Sequence, residues 1–170
     1  MQPYPVDFTP LPIVFWKSLC YFVDIPSYKG VFFMNEELTY ILRIVVASLC
    51  GALIGLEREL RGKRAGLRTH VILAASSALM MVVSKYGFGD VLAAEKVDAS
   101  RIAAGMIASI GFLGIGVIHY DERGTVGLTT SAGLLATVAI GLTIGAGMYV
   151  VGIFTAVFIA VLQALPHKDP

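Results

Sequence analysis

Charged residues along this chain gather in short clusters, and between the clusters run five apolar stretches, at about residues 38–56, 69–83, 102–118, 128–144 and 148–165. Each comes close to the roughly 20 apolar residues that a helix needs to cross a bilayer. The first stretch holds a single charge, Arg43, near its start, where a long side chain can reach the interface. The pattern predicts an all-α, polytopic integral membrane protein of about five transmembrane helices. Small residues recur every four positions within several stretches: Ala47, Gly51 and Gly55; Gly133, Thr137, Gly141 and Gly145; Gly152, Ala156, Ala160 and Ala164. Such ridges let helix backbones approach closely, so the bundle should be compact and glycine-rich. The third stretch is densest in small residues, which predicts that it forms the centre.

Residues 1–36 break this pattern. Pro3, Pro5, Pro10, Pro12 and Pro26 punctuate them, and the apolar run at 13–23 is short and interrupted by Lys17. It reads as an interfacial helix with Phe15, Trp16, Tyr21 and Phe22 at headgroup level, or as a poor extra span. The organisation expected is a periplasmic or interfacial segment at 1–36, a transmembrane domain at 37–166 and a cytoplasmic tail at 167–170. Between the third and fourth stretches, residues 119–124 read as a short polar turn. Gly145 and Gly147 mark a tight turn into the fifth.

Composition agrees with lipid as the solvent. Of 170 residues, 56% are apolar and 15% charged, against about 25% charged in soluble domains. The net charge of +1 offers no basic field for nucleic acid. Cys20 and Cys50 lie in apolar surroundings without metal-type spacing and read as small buried residues. Residues 1–9 carry Asp7 and no Lys or Arg, so the positive start of a cleaved signal peptide is lacking. Orientation follows from the segment after the first stretch, where Arg58, Arg61, Lys63, Arg64 and Arg68 form the largest cationic cluster. Positive loops stay in the cytoplasm, which places the N-terminus outside and the C-terminus inside.

Candidate chemistry is sparse. The spacing of Ser, His, Asp and Cys offers no nucleophilic triad, paired-His metal motif or phosphate-binding loop, so an enzyme is not expected and neither a cofactor nor a metal site is assigned. His70, His119 and His167 fall at helix ends or in the tail, positions that are usually solvated. Glu57 and Arg58 end the first helix, and Arg64 and Arg68 lead into the second. They either anchor the helix ends or mark an ion path, with Arg68 the expected partner of Glu57. Asp98 precedes Ser100 and Arg101, where it reads as a helix N-cap or as half of an acid–base pair. The apolar stretches carry no mid-membrane carboxylate of the kind a Mg²⁺ path normally uses.

Several segments have a family character. The run Gly51-Ala-Leu-Ile-Gly-Leu-Glu57-Arg58-Glu, followed by Arg64-Ala-Gly-Leu-Arg68-Thr69-His70, resembles the MgtC/SapB family of bacterial membrane proteins. Asp98-Ala-Ser-Arg101, Gly111-Phe-Leu-Gly114 and Gly127-Leu-Thr-Thr130 extend the likeness over roughly residues 40–165. The resemblance implies a five-helix inner-membrane protein with a periplasmic N-terminus, in a short form without the soluble C-terminal domain of longer members. It also implies adaptation to low magnesium or acid, a family link to virulence, and a regulator that acts on the ATP synthase. Many relatives are nonetheless labelled magnesium transporters. The matched polar positions are Glu57, Arg58, Arg68, Thr69, Asp98, Arg101, Thr129 and Thr130. The sequence departs from the family pattern at Gly105, where relatives usually carry Gln, and at Ser109, Ile115 and Leu135.

Two functions are therefore expected from different classes. One is a non-enzymatic regulator that contacts a membrane complex through helix faces, with Gly51, Gly55, Gly111, Gly114, Gly141 and Gly145 as packing positions and a homodimer as the default assembly. The other is a small transporter or channel for Mg²⁺ or another cation.

Overall fold

The computed structural model describes residues 36–88, 98, 100–121 and 124–165. The expected interfacial helix at 13–23 and the tail at 167–170 lie outside the described residues. Five helices follow in order: α1 (Glu36–Leu60), α2 (Leu67–Tyr86), α3 (Ser100–Val117), α4 (Leu128–Gly145) and α5 (Tyr149–Ala164). The first four are long and apolar enough to span a membrane, and α5 is a shorter apolar helix. The chain is an all-α, multi-pass membrane protein, and many of its leucines, isoleucines and phenylalanines are exposed on the outside of the bundle.

Local chemistry sets the helix ends. Glu36 and Glu37 open α1, where carboxylates favour the positive end of the helix dipole. Gly62 closes it in the left-handed region at φ 62°, with Lys63 N–H bonded to Arg58 O and Gly62 N–H to Glu59 O, both at 3.0 Å. That is a Schellman motif, which satisfies orphan carbonyls and favours glycine. Gly66 opens α2 without a capping side chain, and Glu59 Oε2 reaches across the turn to accept from Leu67 N–H at 2.9 Å.

The centre of the bundle is α4, not α3. Helix α4 touches all four other helices and carries the longest set of buried residues, among them Leu134, Val138, Ile140 and Ile144. In α3 only Ile110 and Gly114 are buried. Small residues permit close packing but do not compel it; the large side chains on α4 have the apolar area that needs covering. Two apolar clusters result. Ala47, Cys50, Ile54, Ala78, Ile140, Ile144 and Ala156 form one, and Ala65, Leu73, Ile110, Leu134, Val138 and Leu142 form the other.

The link expected as a plain polar turn is a β-hairpin: β1 (His119–Asp121) pairs antiparallel with β2 (Gly124–Val126), with Tyr120 opposite Thr125. Gly127 then enters α4 at φ 99°, and a Cβ there would lie 2.5 Å from Val117 O. No other residue fits both the backbone angle and that space.

Candidate functional site

At one end of the bundle the chain gathers the C-termini of α1, α3 and α5, the N-termini of α2 and α4, and the charged segment between α1 and α2. Glu57 is the hub of that end. Its Oε2 lies 2.7 Å from Arg58 Nε and its Oε1 2.6 Å from Arg61 Nε. The expected partner, Arg68, is exposed and takes no part. Helix geometry explains the correction: Arg61 stands four residues on from Glu57, on the same face, while Arg68 lies in the first turn of α2 and faces outward.

Arg58 is 2% exposed, so its guanidinium is taken out of solvent. Besides Glu57 it donates through Nη2 to Gln163 O at 3.1 Å. Arg61 donates to Ala164 O and Leu165 O. The two arginines thus fasten the end of α1 to the last carbonyls of α5, which a cation complements through the helix dipole. Arg58 is a buried strut, not a solvated anchor.

His70 is also buried, at 0% exposure, against the expectation of a solvated helix end. It lies in the first turn of α2, but the close packing of α1 and α4 covers that turn. Its Nδ1 is 2.7 Å from Thr137 Oγ1, and Thr137 donates its hydroxyl to Gly133 O at 2.9 Å. His70 Nε2 is buried without a hydrogen-bond partner, and Gln163 Oε1 is likewise unpaired. Gly133 leaves the space between them: a Cβ there would sit 2.6 Å from Gln163 Nε2 and 3.8 Å from His70 Cε1. Sequence reasoning read His70 as a solvated helix end and Thr137 only as part of a packing ridge, and it did not single out Gln163. The signal was the ridge running through Gly133 and Thr137, whose four-residue spacing aims one hydroxyl at the facing helix.

The remaining candidates are dispersed. Arg64, Arg68 and Thr69 are exposed at the start of α2; Thr129 is exposed, and Thr130 is buried at the start of α4. Arg64 and Thr69 line a small cleft of 180 Å³ above Leu73, Leu113 and Leu134. Asp98 sits at the opposite end of α3 from this group. Its Oδ1 accepts from Ser100 N–H at 2.9 Å and from Ser100 Oγ at 2.6 Å. These bonds hold its carboxyl below the ordinary carboxylate range, with Arg101 adding a smaller pull in the same direction.

The glycines divide into two kinds. A Cβ on Gly51 would lie 2.6 Å from His70 O, on Gly55 2.8 Å from Leu67 Cα, and on Gly145 2.6 Å from Ala78 O. Gly141 faces Ser77 and Gly114 faces Ser131 at similarly close range. Gly111, by contrast, has nothing within 4 Å. It faces away from the bundle.

At the other end Arg43 donates through Nη1 to Tyr86 Oη and to Gly145 O, both at 3.0 Å, and Lys85 donates to Ala146 O at 2.9 Å. Arg43 is therefore more than a snorkelling side chain, since it ties α1, α2 and the end of α4 together. Among the described residues no group of three or more His, Cys, Asp or Glu converges as a metal site.

The MgtC family profile matches residues 44–168, which contain all of these groups except Arg43. Escherichia coli K12 YhiD, to whose name magnesium transport is provisionally attached, is 48% identical over 132 residues, covering 76% of this chain and 61% of that protein. Bacillus subtilis SapB is 37% identical over 74% of this chain and 56% of its own length. Brucella abortus MgtC is 38% identical over 70% of this chain and 48% of its own length. The chain thus spans about half to three-fifths of the length of these relatives. No solved structure matches it. With the profile covering most of its length and relatives of this identity, the chain belongs to the MgtC family.

Proposed function

We propose that the protein is a non-enzymatic regulator of the bacterial inner membrane that docks through the outward face of α3 onto a membrane complex such as the ATP synthase. Its role on this reading is adaptation to low magnesium or acid. The observation that carries it is the exposure of α3, where Ile107, Phe112 and Ile115 are 51%, 79% and 74% exposed and Gly111 has open space above it. A helix with small residues between large apolar ones suits close contact with another membrane helix. The basic segment at one end of the bundle supports an orientation with that end in the cytoplasm and the start of α1 outside.

The alternative reading, a Mg²⁺ transporter, draws on the name carried by YhiD. The charged end of the bundle speaks against it, because both oxygens of Glu57 are already taken by Arg58 and Arg61. A path for a hard divalent cation offers free oxygen ligands, not a carboxylate already paired with guanidinium groups.

The test is ATP-driven proton pumping by inverted bacterial membrane vesicles that contain the wild-type protein or Gly111→Leu at equal abundance. Pumping altered by the wild type and returned to the empty-vesicle level by Gly111→Leu is the expected result. Identical pumping in all three preparations sinks the regulator reading. Crosslinking that recovers only a second copy of the chain through α3 makes self-association the use of this face.

A further inference from the structure

A cleft of about 180 Å³ opens at the charged end of the bundle, between the start of α2, the end of α3 and the start of α4. Leu73, Leu113, Val117 and Leu134 give it an apolar floor, and the exposed Arg64 and Thr69 stand at its mouth. Leu113 is 49% exposed, so the cleft is open along its α3 side to the outside of the bundle.

The polar groups at the mouth are donors left unused by the fold. Arg64 and Thr69 have neither an ion pair nor a side-chain hydrogen bond among the described residues. The nearby carboxylates are engaged elsewhere: Glu57 holds Arg58 and Arg61, and Glu59 accepts from Leu67 N–H. Thr137, Thr143 and Thr155 each donate to the carbonyl four residues back, and Thr69, in the first turn of α2, does not. The N–H groups of Arg68 and Thr69, next after Leu67 in that turn, likewise have no acceptor within the helix. Four residues before Leu134, on the same face of α4, Thr130 is 6% exposed, and its hydroxyl too has no partner among the described residues.

These donors select the occupant. A guanidinium beside the free N–H groups of a helix start suits the oxygens of a phosphate. The lining holds no carboxylate that could take an ammonium group. The apolar floor favours a phosphate attached to hydrocarbon over a free, fully hydrated one. At about 30 Å³ for each water-sized group, the cleft takes roughly six, enough for an ester and the first methylenes of a lipid and too few for a protein helix. We infer that this cleft binds an anionic phospholipid, with its phosphate on Arg64 and Thr69 and the start of one acyl chain over Leu73, Leu113, Val117 and Leu134. The site does not use the outward residues of α3, Ile107, Phe112 and Ile115, and does not rest on the regulator reading.

Native mass spectrometry of the full chain, released from nanodiscs of equal phosphatidylglycerol and phosphatidylethanolamine, tests it. The wild type should retain phosphatidylglycerol in preference. Arg64→Gln removes a charge-assisted bond and should lower that preference by roughly ten-fold. Thr69→Val keeps the shape, loses the hydroxyl and should lower it by roughly five-fold. Lys63→Gln removes the same charge as Arg64→Gln from the preceding position, which does not line the cleft, and should lower it clearly less. All three residues are exposed, and circular dichroism with a monodisperse elution profile establishes that each variant is folded. Equal losses from Lys63→Gln and Arg64→Gln would make the retention a general attraction to the basic segment and overturn the site. Equal retention of both lipids by the wild type overturns it as well, as does a preference unchanged in Arg64→Gln. Loss of the retained lipid on adding inorganic phosphate would make free phosphate the ligand and overturn the lipid assignment.

Discussion

Arg58 and His70 show at the residue scale how a polar side chain comes to be tolerated inside an apolar bundle. Arg58 has lost its water and is compensated by Glu57 at 2.7 Å and by Gln163 O at 3.1 Å. Without Arg58, Glu57 keeps Arg61 at 2.6 Å, but Gln163 O loses its donor. Arg58→Leu should therefore lower stability in detergent by about 1–3 kcal/mol, read from denaturant unfolding; a change within error would mean that the strut is not under load. Asp98 makes the opposite case, since it is exposed and its interactions are local. Its depressed carboxyl pKa means that the stabilisation is present above the unfolded value of about 3.9 and is lost as pH falls through the lower folded value. Carbon-13 titration of the carboxyl should place it below the ordinary range. Ser100→Ala, which removes the stronger of the two bonds, should shift it back up; an unshifted titration would leave the cap without a role. Asp98 was legible in the sequence because a cap is a local pattern. Buried His70 was not, because the covering residues come from α1 and α4, far away along the chain.

At the scale of the element, the five apolar stretches map onto five helices, with ends displaced by a few residues. Hydropathy blocks reveal the helices because lipid imposes a strict length and composition. They do not reveal which helix lies at the centre, since in a membrane an exposed apolar face and a buried one have the same composition. That is why the small residues of α3 were misleading, Gly114 against Ser131 apart, while those of α1 and α4 lie at real contacts. The hairpin after α3 was hidden for another reason: three-residue strands are too short to show a period. The two kinds of glycine give a paired prediction. Gly51→Ala would force α1 away from His70 O and should cost about 1–3 kcal/mol as an overpacked contact. Gly111→Ala meets open space and should leave unfolding unchanged or slightly improved. Thermal unfolding of both variants in the same detergent checks this, and equal losses would mean that α3 packs against something within the chain at that position.

For the whole molecule, the question is whether a bundle tied together in this way can also pass an ion. Arginines fasten it at both ends: Arg58 and Arg61 join α1 to α5, and Arg43 joins α1 to α2 and α4. A Mg²⁺ ion passing the charged end of the bundle would approach Arg58 and Arg61, which already hold both oxygens of Glu57. At an effective dielectric near 20, each unit charge about 4 Å from another contributes about 4 kcal/mol, and a divalent ion doubles it. With two cations against one carboxylate the balance is repulsive. Proteoliposomes holding the purified protein and a trapped Mg²⁺ indicator should therefore fill no faster than protein-free vesicles, and Glu57→Gln should change nothing. Influx above background that disappears in Glu57→Gln would reverse the argument, because it would make the charged end a gate and the carboxylate its ligand. Background influx, with the protein shown inserted and folded, leaves helix contact as the way this bundle acts, and turns attention to whatever covers the outward face of α3.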